Sequence, residues 1–90
     1  MSSCLYLIQS DYGQTPHVLS KLRQTYQSGD AVVLMGESVL CIDQTLPDFS
    51  VYILAHDAQA LISLPAQVQV LSYSQFADLC LAYTRCIRLK

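Results

Sequence analysis

The chain has 90 residues, of which 52% are hydrophobic and 13% charged, and its formal net charge is −2. Average domains carry about 25% charged residues, so the few charges and many branched apolar residues exclude a disordered chain. Five Lys and Arg in all do not make the basic face that a duplex-binding domain needs. The length fits one domain, residues 1–90. A chain this short buries only about 60–65% of its unfolded surface. The apolar excess therefore points to a surface buried against another chain.

Leu5-Tyr6-Leu7-Ile8 reads as a short buried strand. Gly13 marks a turn, and Thr15-Pro16 suits the N-cap and first position of a helix. Val18, Leu19, Leu22 and Tyr26 form its apolar stripe, with Gly29 as the C′ stop. Ala31-Val32-Val33-Leu34-Met35 is a continuous apolar run, as in a parallel strand covered on both faces. Val39-Leu40-Cys41-Ile42 is too short to assign by periodicity, and with several of the Tyr it is expected to belong to the surface buried against another chain. Pro47-Asp48 marks a turn, and Val51-Tyr52-Ile53-Leu54 is a third strand. Asp57 is placed to cap a short helix that reaches about Leu61 and ends before Pro65. Val68-Gln69-Val70-Leu71 is the last predicted strand. Ser72 and Gln75 form a capping box, followed by Phe76, Leu79, Cys80, Tyr83 and Ile87 at helical spacing. Arg85, Arg88 and Lys90 then read as favourable charge at a helix C-terminus and in a solvated tail. Alternating strands and helices predict an α/β fold: a small three-layer, Rossmann-like parallel sheet.

In such sheets ligands sit beyond the carboxyl ends of the strands. That rule selects the loops 10–16, 36–38 and 55–57, which carry Asp11, Tyr12, Glu37, His56 and Asp57, with His17 just beyond the first. No Gly-rich phosphate motif is present, so no nucleotide cofactor is expected. Ser10, His17 and Asp11 have no spacing that supports a triad, which only geometry could establish. Both histidines read as helix-start or loop residues. His17 and His56 lie far apart with no partner at ligand spacing, so no metal is expected.

Four cysteines, Cys4, Cys41, Cys80 and Cys86, form no Cys-x-x-Cys pair. The N-terminus lacks a signal-peptide pattern and no run is long enough to span a membrane. A cytoplasmic protein with reduced thiols is the expectation. A reactive thiol needs exposure and a lowered pKa. Cys80 reads as core, Cys4 lies at the end opposite the expected site, and Cys86 lies at the edge of the last helix. Cys41 follows the 36–38 loop and is the best placed persulfide candidate.

The order of segments resembles the TusB/DsrH family of small sulfur-relay subunits. The residues concerned are Leu5 to Ser10, then Gly29-Asp30 before the apolar run, then Ser38 to Ile42. Val51-Tyr52-Ile53-Leu54 with Asp57, and Ser72-Tyr73-Ser74-Gln75-Phe76-Ala77-Asp78-Leu79, complete the pattern. Glu37-Ser38-Val39 stands where the family commonly has Asp-Gly-Val, and the family's Arg-Gly pair after the third helix is absent. The resemblance implies a DsrE-like fold and a hetero-oligomer with TusC/TusD-like (DsrF/DsrE-like) subunits. It implies persulfide transfer that ends in 2-thiolation of the tRNA wobble uridine, or the DsrH-type role in sulfur oxidation. A stand-alone homo-oligomeric binding module is the further alternative. No cysteine matches a family motif, so a structural subunit is expected rather than the main sulfur carrier. Direct contact with tRNA is not expected.

Overall fold

A computed structural model describes residues 3–45, 49–61 and 66–89. Five parallel strands make the sheet: β1 (Cys4–Ile8), β2 (Ala31–Leu34), β3 (Val51–Leu54), β4 (Gln69–Leu71) and β5 (Arg85–Leu89), in the order β4-β3-β2-β1-β5. Helix α1 (Thr15–Thr25) links β1 to β2, and α2 (Ala55–Ala58) leads from β3 towards β4. Helix α3 (Tyr73–Ala82) links β4 to β5, and a 3-10 segment, Gly36–Thr45, kinked at Cys41, follows β2. Among the described residues no helix is long and apolar enough to cross a membrane.

The topology decides how the sheet is covered. The first three connections step outward in one direction, from β1 to β4. The fourth turns back across the sheet to place β5 beside β1. Parallel crossovers keep one hand, so a connection that reverses direction passes over the opposite face. Accordingly α1, the 3-10 segment and residues next to α2 share one core with Tyr6, Ile8, Val32, Leu34 and Ile53. Among the described residues, α3 is the helix that lies over Leu5, Ala31 and Val33 on the other face. All four residues of β2 are fully buried, as the unbroken apolar run predicts.

Asp30 locks the base of the sheet. One carboxylate oxygen accepts the Cys4 backbone N–H at 2.8 Å and the other accepts that of Gln27 at 3.0 Å. Gly29, with φ at +95°, makes the tight turn that delivers Asp30 to this place. The Tyr26 hydroxyl donates to the Asp30 carbonyl at 2.6 Å and accepts the Ser50 N–H at 3.0 Å. The Tyr26 ring meets Phe49 edge-on at 4.7 Å.

Several local expectations need correction. Helix α1 ends at Thr25, with Tyr26 already extended, because Tyr26 leaves the helix to make these bonds; Gly29 is a turn residue and not the C′ stop. Gln14 occupies the N-cap and Thr15 is the first helical residue. The Thr15 hydroxyl donates to the Asp11 carbonyl at 2.7 Å instead of capping the helix. Leu54 is the N-cap of α2 and Asp57 lies inside it. The capping box at Ser72 and Gln75 is present as expected.

The larger correction is at the C-terminal end. The last helix stops at Ala82, and residues 85–89 are strand β5, paired with β1 from Cys4↔Arg85 to Ile8↔Leu89. Arg85 and Arg88 therefore do not sit at a helix terminus, and their register partners Cys4 and Leu7 place them on opposite faces of the sheet. Nor does the Val39-to-Ile42 patch lie open for a partner. Val39, Cys41 and Ile42 are buried, and Leu40 alone of the four is exposed. The predicted turn at Pro47-Asp48, the Pro65 helix stop and Lys90 lie outside the described residues.

Candidate functional site at the carboxyl ends of the strands

Two of the three loops selected by sequence come together. The Tyr12 backbone N–H donates to Glu37 Oε1 at 3.1 Å. Ser38 Oγ lies 3.0 Å from the Ile8 carbonyl and 2.7 Å from that of Met35, and it accepts the Met35 N–H at 2.9 Å. This one hydroxyl thus joins the ends of β1 and β2. Gly36 turns the chain between Met35 and Ser38 with φ at +61°. Nothing lies within 4 Å of where its Cβ would be, so backbone conformation alone calls for glycine there.

The polar residues of the first loop are occupied by the loop itself. Ser10 is buried and its Oγ lies 2.7 Å from Thr15 Oγ1. Because the Thr15 proton is committed to the Asp11 carbonyl, Ser10 is the donor in this pair. Asp11 Oδ1 accepts the Gln14 N–H at 2.8 Å. His17 is exposed on α1. Ser10 and Asp11 are therefore engaged in shaping the turn, and this arrangement does not activate Ser10 as a nucleophile. His56 and Asp57 lie in α2, with His56 exposed and Asp57 half-buried.

Cys41 lies at the kink of the 3-10 segment, with only 2% of its surface exposed. Its Sγ is 3.9 Å from the Tyr12 carbonyl, and burial pushes its thiol pKa up. Both properties oppose thiolate formation in this conformation. Cys4 is buried at the amino end of β1, and burial is the chief cause that raises its pKa also. Cys80 is half-buried and Cys86 exposed; all four cysteines are free.

One cavity was not foreseen from the sequence. A groove of about 430 Å³ runs between α1 and β5, lined by Tyr6, Leu22, Thr25, Ile87, Leu89 and the cations Lys21 and Arg85. It continues into a hollow of about 150 Å³ bordered by Gln14, His17, Val18, Lys21 and Leu89. The groove exists because β5 extends the sheet beyond the cover of α1. Its floor is apolar and its rim positive. Tyr6 is buried there, and burial pushes its phenol pKa up despite an opposing bond with Thr25. Arg85-Cys86-Ile87-Arg88-Leu89 has no strict alternation to mark it as a strand, and the longer helical pattern runs through it.

No family model matches the sequence, and no curated protein matches it. Among solved structures the chain is similar to the ychN protein from E. coli, with a TM-score of 0.68 and 14% identity. The match covers 99% of this chain and 100% of that one. The five-stranded parallel sheet with its helices is thus a DsrE-like α/β fold over almost its whole length.

Proposed function

We propose that this chain is a structural subunit of a cytosolic sulfur-relay complex that passes persulfide sulfur for 2-thiolation of the tRNA wobble uridine. The DsrE-like fold, matched across nearly the whole chain, carries the reading. The ordered segments that resemble TusB/DsrH subunits add the narrower role. The thiols favour a structural part over a carrier. Cys41, the one cysteine beside the joined loops, is buried with a raised pKa. Sulfur transfer requires a thiolate that a partner can reach.

The partners in this reading are TusC/TusD-like subunits. The exposed outer side of α3, with Tyr73 at 68% and Leu81 at 85% exposure, supports a docking role for that helix. Loading the purified complex through a cysteine desulfurase and mapping persulfides by mass spectrometry tests the proposal. The expected result is persulfide on a partner subunit, with transfer unchanged by Cys41→Ser. Persulfide that accumulates on Cys41, with transfer lost in C41S, would make this chain a carrier instead.

A further inference from the structure

Two of the four cysteines meet on the thinly covered face of the sheet. Cys80 lies in the last turn of α3 and packs against the cluster of Leu5, Ala31 and Val33. Cys86 is the second residue of β5, and its register partner on β1 is that same Leu5. Leu5 thus sets both cysteines over one spot. Cys86 Sγ lies 3.8 Å from the Cys80 carbonyl, which puts the Cys86 thiol against the last turn of α3. Cys4 and Cys41 belong to the core on the opposite face. The bend at Tyr83 and Thr84 brings the end of a helix and the start of an edge strand side by side.

We propose that Cys80 and Cys86 form a dithiol that closes to an intramolecular disulfide by exchange with a low-molecular-weight disulfide. Exposed Cys86 reacts first. Its thiolate attacks one sulfur of the reagent, breaks that S–S bond, and releases one reagent thiolate. Cys80 is half-buried, and burial first, then the Cys86 thiol beside it, raises its pKa; it therefore reacts second, from beside the mixed disulfide, and faster as pH rises. Its thiolate attacks the Cys86 sulfur and expels the second reagent thiolate. One reagent disulfide is reduced to two thiols as two protein thiols are oxidised to one disulfide. The second step is intramolecular and gains from proximity. The product ties the last turn of α3 to β5, a strand that pairs with β1 alone. The pair lies away from the joined loops and needs no partner subunit to form, and it is tested on the chain without partners, so its failure would leave the sulfur-relay reading standing.

The test uses the full chain and oxidised glutathione as the probe. Trypsin cleaves after Arg85, between the two cysteines, and chymotrypsin after Tyr73 and Phe76, which separates Cys80 from Cys41, so each link is read as its own joined pair of peptides under non-reducing conditions. The expected product lacks two hydrogen masses and joins Cys80 to Cys86. Cys80→Ser is expected to stop at a stable glutathione adduct on Cys86, and Cys86→Ser to lose both the adduct and the link. A stable adduct on Cys86 in the unaltered chain, a link through Cys4 or Cys41, a link between two chains, or no reaction at all would each overturn the proposal.

Discussion

On one face of the sheet Leu19, Val32, Leu34, Val39 and Ile53 have no exposed surface. On the other, the helix that crosses Leu5, Ala31 and Val33 has no buried residue of its own. The strands are the same, so the difference comes from their connections. Three links pass over the first face and one over the second, because only the last crossover reverses direction. Leu7, Met35, Tyr52, Phe76, Leu79 and Tyr83 are left half-covered as a result. Here the apolar excess of the sequence acquires a location. One face is a closed core except for the groove beside β5, and the other keeps half-covered apolar side chains across β1, β2 and β3.

Truncations should separate the two faces. Leu19→Ala empties a fully buried site and is expected to cost about 3 kcal/mol, read as a lower urea midpoint. Leu79→Ala on the half-covered face is expected to cost about 1 kcal/mol, because less apolar area is buried there. Equal losses would show that α3 is packed as firmly as α1. Leu81→Ser should change the stability of the isolated chain by no more than about 0.5 kcal/mol, since that side chain is 85% exposed.

The cysteines add a pH dependence that both faces share. Burial is the chief cause that raises the Cys4 and Cys41 thiols on the more closely covered face and Cys80 on the other. In the unfolded chain a thiol ionises near about pH 8.5. Above that pH the unfolded state has lost protons that the folded state still holds, so stability falls as pH rises. Below it the contribution is fully present. Denaturant titrations on either side of this pH should show the decline, and replacing Cys4, Cys41 and Cys80 by Ala should reduce it. A decline unchanged by the replacement would assign it to other groups.

Much of this fold was legible where local chemistry decides it. Ala31 to Leu34 reads as a buried strand because it contains no polar residue, and the Ser72–Gln75 box marks its helix start through side-chain bonds three residues apart. Strand β5 was hidden for the opposite reason. Phe76, Leu79, Cys80 and Tyr83 set a helical period that Ile87 happens to continue, and no Gly or Pro interrupts it. What makes Arg85–Leu89 a strand is the free edge of β1, some eighty residues earlier in the chain. The groove beside Lys21 and Arg85, and the meeting of Cys80 with Cys86, depend on that non-local pairing and were hidden with it. The first two candidate loops were legible from the strand-end rule. Their internal bonds were not, because which hydroxyl serves Asp11 and which serves Ile8 depends on three-dimensional spacing.

The proposed function requires other subunits to complete the half-covered face. Molar mass by light scattering, for the chain alone and co-expressed with TusC- and TusD-like subunits, reads this. The expected result is a stable hetero-oligomer that Leu81→Asp weakens while the isolated variant stays folded. A stable monomer that ignores those partners would rule the proposed role out.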